Sequence, residues 1–158
     1  KTCVYFNIYS CVMNIKVKYN GSKKSFYFDN FEDLMLDDNY DSIIFLNCSN
    51  NKILELPNKL PNNLIYFDCS SNLITNIPSL PESLEVLVCC DNNLNILPNM
   101  PSSMTTIWCF QNNIREINNI PNSVVDFDCS ENKLSKIPHI PNQFARVDYS
   151  GNLITSFH

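Results

Sequence analysis

A single α/β solenoid is the fold this sequence predicts: short parallel strands stacked into a curved sheet, with extended return limbs behind them. Three observations point there. Asn recurs at positions 51, 72, 92, 112, 132 and 152, at spacings of 21, 20, 20, 20 and 20 residues, and a fixed period of this length is the signature of a repeat array. Three residues before each Asn stands Cys48, Cys69, Cys89, Cys109, Cys129 or Tyr149, and five before it Leu46, Phe67, Leu87, Ile107, Phe127 or Val147. Prolines gather at one other phase of the period, as in Pro78 with Pro81, Pro98 with Pro101 and Pro138 with Pro141. A length of 158 residues with 44% hydrophobic content suits one domain with a filled core.

The N-terminal segment, residues 1–40, does not share the period. Met13, Ile15, Val17 and Tyr19 alternate with Asn14, Lys16 and Lys18 before Asn20-Gly21, a pair suited to positive φ, and Phe26 and Phe28 follow. This reads as a β-hairpin, joined by an earlier strand over 3–9. Asp29 with Glu32 reads as a capping box, and Phe31, Leu34 and Met35 as the apolar face of a short helix ending at Asp37-Asp38-Asn39. The expected role of this segment is to cover the first repeat's core.

Residues 41–158 hold six copies of Leu-Pro-x-x-Leu-x-x-Leu-x-Cys-x-x-Asn-x-Leu-x-x-Leu-Pro, clearest from Leu60 to Pro78 and Leu80 to Pro98. The alternating Leu-x-Cys is a short strand with two inward side chains, and copies about 4.8 Å apart pair into a parallel sheet. Proline has no N–H and fixes φ, so Pro57, Pro78 and Pro98 belong to the return limb, which reads as extended or polyproline-like. The pattern resembles the leucine-rich repeat family, and its short period and doubled prolines are most similar to the repeats of secreted bacterial effectors, the invasion-plasmid-antigen H class of ubiquitin ligases among them. The resemblance implies a protein-binding module. In those ligases a separate helical catalytic domain follows the repeats. The sequence here ends at Phe157-His158, inside the sixth copy's return limb, so ligase residues are not expected and the stack is expected to continue or to be covered by a partner.

Charge and composition narrow the partner. A net charge of -5 disfavours nucleic acid, and no apolar run approaches the roughly 18 residues that span a bilayer. Asn, Ile, Ser and Leu dominate the composition, a bias expected of an AT-rich genome. The five ladder cysteines occupy inward positions where neighbouring rungs lie too far apart for disulfides, so they read as core residues of a protein in a reducing, cytoplasmic setting; the effector resemblance implies host cytoplasm. The ladder asparagines read as caps for backbone groups at the strand-to-turn corner. No metal or cofactor motif is present, and no enzyme activity is expected. Cys90 should face outward from its strand, which leaves it open to a reactive role with no base placed beside it. His139 and His158 fall on the limb side.

The candidate site lies on outward strand positions: Tyr66 and Asp68; Val86, Val88 and Cys90; Trp108 and Phe110; Asp126 and Asp128; and Asp148. Val86, Val88, Trp108 and Phe110 form an apolar patch that solubility would not select. Asp68 on one side, with Asp91, Asp126, Asp128, Glu131 and Asp148 on the other, is expected to rim it with negative charge, so the sequence predicts a protein ligand with a basic or amphipathic segment. Two alternatives stand beside this: the substrate-recognition part of a larger enzyme such as a ubiquitin ligase, and a structural or assembly protein of an AT-rich parasite or large DNA virus.

Overall fold

A computed structural model describes residues 12–139 and 145–155. The strand expected over 3–9, the inward Phe144, and Phe157 and His158 lie outside the described residues. The repeats contribute β3 (Ile43–Asn47), β4 (Tyr66–Asp68), β5 (Val86–Val88), β6 (Thr106–Trp108), β7 (Asp126–Asp128) and β8 (Arg146–Asp148). They pair in parallel with equivalent residues in register: Leu46, Phe67, Leu87, Ile107, Phe127 and Val147 form one row. The first five members of that row are fully buried, as are all five ladder cysteines. Each of those cysteines is a free thiol.

The N-terminal hairpin, β1 (Ile15–Tyr19) and β2 (Phe26–Phe28), extends the same sheet. The strand order is β2-β1-β3-β4-β5-β6-β7-β8, with β1 antiparallel to both of its neighbours. Ile15 and Val17 point into the core and are fully buried. At the turn only Gly21 takes positive φ, at +77°, rather than both central residues, and Ser22 N–H closes the turn on the Tyr19 carbonyl at 3.1 Å. The helix α1 (Phe31–Met35) is capped one residue later than expected: Asn30 accepts from Asp33 N–H at 2.7 Å. The Asp29–Glu32 capping box does not form: Asn30 caps instead, its Nδ2 also donating to Asp33 Oδ2 at 2.9 Å, while the Asp29 carbonyl accepts from Met13 N–H at 2.9 Å.

The Tyr19 hydroxyl donates to Asp37, which closes the chain after α1 back onto β1. This bond, the largest influence on Asp37, holds its carboxyl below the ordinary carboxylate range. A depressed folded pKa stabilises above the unfolded value near 4, and that stabilisation is lost as pH falls through the folded value. Tyr19→Phe is therefore expected to flatten the acid limb of the stability profile, read by urea melts between about pH 3 and 6.

Asparagines join each rung to the next. Asn72 Nδ2 donates to the carbonyls of Cys48 and Cys69, both at 3.0 Å, while its Oδ1 accepts from Asn51 N–H at 3.0 Å and Ile53 N–H at 2.9 Å. Asn92, Asn112, Asn132 and Asn152 repeat the bond back to the preceding copy, accepting from Ile74, Leu94, Ile114 and Leu134, each at 2.9 Å. Asn51 has no earlier repeat to bind; Asn14 of the cap takes that place, donating its N–H to Asn51 Oδ1 at 2.7 Å. The residue before each ladder Asn adopts the left-handed region, with φ between 51° and 66°, and only in the last copy is it a glycine, Gly151. On the limb side, Pro61, Pro81, Pro101 and Pro121 each accept from the N–H three residues on, at 3.1–3.2 Å, a turn that leads into the next strand. No helix is found in the return limbs among the described residues, as their proline content requires.

Candidate functional site

Side chains at outward positions form rows that run across the strands. One row reads Lys18, Phe45, Tyr66, Val86, Thr106, Asp126, Arg146; the next reads Lys16, Asn47, Asp68, Val88, Trp108, Asp128, Asp148. Phe45 and Tyr66 stack with ring centroids 4.7 Å apart and an 8° interplanar angle, and Lys18 Nζ lies 5.2 Å from the centre of the Phe45 ring. The apolar surface is thus longer than the patch expected from sequence. It begins at Phe45, passes through Tyr66 and Val86, and crosses to Trp108 and Phe110.

Several acids expected on the rim are occupied by their own turns. Asp68 Oδ1 accepts from Ser70 N–H at 3.0 Å and from its hydroxyl at 2.6 Å, and Oδ2 accepts from Asn47 Nδ2 at 2.9 Å. Asp128 binds Ser130 in the same way and meets Arg146 Nη2 at 3.4 Å. Asp148 accepts from Ser150 N–H at 2.9 Å, a bond that is the leading cause of its lowered pKa. Asn47 and Ser49 make the first copy's version, at 3.0 Å. This Asx-turn recurs wherever the strand end reads Asn or Asp, any residue, Ser. Copies three and four lack it, because Val88-Cys89-Cys90 and Trp108-Cys109-Phe110 stand there instead. The apolar patch is therefore an interruption, two rungs wide, of a polar structural ladder.

Three of the predicted site residues point outward yet are covered. Val88 is 7% exposed, Cys90 8% and Asp128 7%. Trp108 stands in register between Val88 and Asp128, and at a rung spacing of about 4.8 Å an indole overlaps both neighbours. Burial, followed by the nearby Asp68 carboxylate, pushes the Cys90 thiol up, so the outward exposure and reactivity open to it from sequence do not hold. Tyr66, Asp68, Val86, Trp108, Phe110, Asp126 and Asp148 are half-buried. Among the described residues, Trp108 Nε1 and Asp126 Oδ1 are the buried side-chain polar atoms that lack a hydrogen bond.

Sequence reasoning missed Lys16 and Lys18 as members of this face. Their alternation with Ile15 and Val17 marked them as polar-side residues, but only the antiparallel pairing of β1 with β3 sets them beside Asn47 and Phe45. One end of the face is consequently basic. The limb side carries grooves between successive copies, one of about 860 Å³ lined by Pro78, Leu80, Pro98 and Met100 among others. His139 lies there, exposed, in a smaller groove with Arg115 and Glu116. No group of three or more His, Cys, Asp or Glu side chains with metal-binding geometry occurs among the described residues, and no described helix is long and apolar enough to cross a membrane.

No protein-family model matches the sequence, and no curated protein does. Solved structures do match. An effector leucine-rich repeat domain from Shigella superposes with a TM-score of 0.70 at 24% identity, over 73% of this chain and 52% of that one. YopM from Yersinia enterocolitica WA-314 gives 0.64 at 27% identity, over 77% of this chain and 31% of that one. The leucine-rich effector YopM from Yersinia pestis gives 0.58 at 22% identity, over 69% and 37%. The molecule is a short-repeat leucine-rich repeat solenoid. Its structural neighbours are bacterial effectors of that class, and the chain spans about half the length of the first and about a third of the other two.

Proposed function

We propose that this chain is a non-enzymatic protein-interaction module whose strand face takes up a segment of a partner protein. The observation that carries this reading is the interruption of the Asx-turn ladder at copies three and four. There, side chains that would fasten the solenoid are replaced by the covered Val88 and Cys90 and by Trp108 and Phe110, which set apolar surface in the middle of a polar face. Aromatic anchors at the centre of a patch with a charged surround are the usual anatomy of a binding hot spot. The effector-like fold supports a protein rather than nucleic acid as ligand, as does the net charge of -5. Free ladder thiols suit a reducing, cytoplasmic setting, the host's included. The mechanism is rigid presentation: a preformed sheet holds the anchors in place, so little ordering entropy is lost on binding.

The double variant Trp108→Ala/Phe110→Ala tests this. Each truncation at a hot spot is worth about 2 kcal/mol, so partner affinity is expected to fall by at least about a hundredfold while the melting temperature shifts little. A large fall in melting temperature would instead mean that the chain itself covers the patch, and would overturn the reading.

A further inference from the structure

The two ends of the strand face carry opposite charge. At one end Lys16 and Lys18 project from β1, and neither forms a salt bridge among the described residues. At the other end the acids Asp126, Asp128 and Asp148 outnumber the one cation among them, Arg146, whose guanidinium lies 3.4 Å from Asp128 and, after the Ser150 hydrogen bond, also draws down the Asp148 carboxyl. Between them lies the apolar stripe from Phe45 to Trp108. The sequence predicted acid on both sides, but the structure sets Lys16 and Lys18 on the flank of Asp68, whose carboxylate keeps its charge while Asn47 and Ser70 hold its oxygens, so that flank is net basic.

We infer that the occupant of this face is an extended peptide segment, acidic at the end over β1, apolar in the middle and basic at the end over β7 and β8. The inference rests on reading the strand face as the binding surface. From β1 to β7 there are five strand steps, roughly 24 Å at about 4.8 Å each, which an extended chain crosses in about seven or eight residues. The two orphaned polar atoms favour an extended backbone over a helix. Trp108 Nε1 lacks an acceptor and Asp126 Oδ1 lacks a donor, on neighbouring strands. An extended segment brings unpaired C=O and N–H groups that supply both once the side chains turn toward it, whereas a helix keeps its own amides bonded internally. Opposite charge at the two ends also fixes the direction in which the segment lies.

Selection from a display library of random peptides of about a dozen residues, long enough for this span, tests the inference. The targets are the wild-type chain and the variants Lys16→Glu/Lys18→Glu, Asp126→Lys/Asp148→Lys and Trp108→Ala, each checked by its melting curve. Wild type is expected to select non-helical peptides with acid at one end, apolar residues between, and Lys or Arg at the other end. Their affinity should fall at least about tenfold on each variant, the scale of losing one hot-spot contact. Should a charge reversal prevent folding, Lys16→Gln/Lys18→Gln or Asp126→Asn/Asp148→Asn replaces it, with a loss of the same direction. Binders that depend on Trp108 but are basic at both ends, uncharged or helical would overturn the bipolar extended occupant and leave the interaction module standing. Failure to obtain any Trp108-dependent binder would overturn both.

Discussion

Replacing Asn92 by alanine is expected to cost about 3–4 kcal/mol of stability, read as a lower urea midpoint, while Asn93→Ala next to it changes stability by less than about 0.5 kcal/mol. The two residues differ in what they hold. Asn92 is buried; its Oδ1 accepts from Ile74 N–H at 2.9 Å, and its Nδ2 reaches the carbonyls of Cys69 at 3.0 Å and Cys90 at 3.2 Å. Alanine leaves the Ile74 N–H buried with no partner, which costs roughly 1–3 kcal/mol, and strips a donor from the carbonyls of Cys69, Cys89 and Cys90 as well. Asn92→Asp does no better, since it keeps the acceptor but sets a carboxylate against those carbonyls. The side chain of Asn93 is exposed, and its link to the neighbouring copy, to the Ile74 carbonyl at 2.9 Å, runs through its main-chain N–H and survives truncation. Because each copy touches only its neighbours, the loss falls on the interface between copies two and three.

Phe67→Ala is expected to cost about 3–5 kcal/mol, and Phe67→Leu less than about 1.5 kcal/mol, in the same denaturation experiment. Phe67 is fully buried and sits in register between Leu46 and Leu87. Rungs locked by main-chain bonds on both sides cannot close around the void that alanine leaves, so the cavity penalty adds to the lost transfer energy. Leucine keeps most of the volume. The equivalent truncation at the last rung, Val147→Ala, should be mild by comparison, because Val147 is 38% exposed at the edge of the described sheet.

The inward half of the solenoid was legible in the sequence because its constraints repeat. A rung must carry an apolar residue, a small buried residue and a corner amide at fixed offsets, so the row from Leu46 to Val147, the cysteines and the asparagines all announced their places. The outward half was legible only in part. Trp108 and Phe110 stood out as apolar residues on a face meant for water. The role of Asp68, Asp128 and Asp148 was hidden, because an acid that fastens its own turn and an acid that waits for a ligand look alike until the serine two residues on is seen to bind it. Lys16 and Lys18 were out of reach for a different reason: no local pattern states that β1 pairs antiparallel with β3. The helix cap shifted from Asp29 to Asn30 for a local reason, the reciprocal pairing of Asn30 with Asp33, which competes with Asp29–Glu32 at the same spacing.

The stacking of equivalent rungs, with sulfur inside and indole outside, underlies every conclusion here, and thiol labelling of the native chain tests it most directly. With Cys3→Ser, Cys11→Ser and Cys90→Ser removing the three cysteines outside the ladder, Cys48, Cys69, Cys89, Cys109 and Cys129 should stay silent to an aqueous thiol reagent until the chain unfolds. Each is fully buried, and burial pushes every one of these thiols up, Cys129 to about 12. In denaturant all five should react as single free thiols. Rapid labelling of any ladder cysteine in the folded protein, or recovery of two of them joined as a disulfide, would contradict the stack.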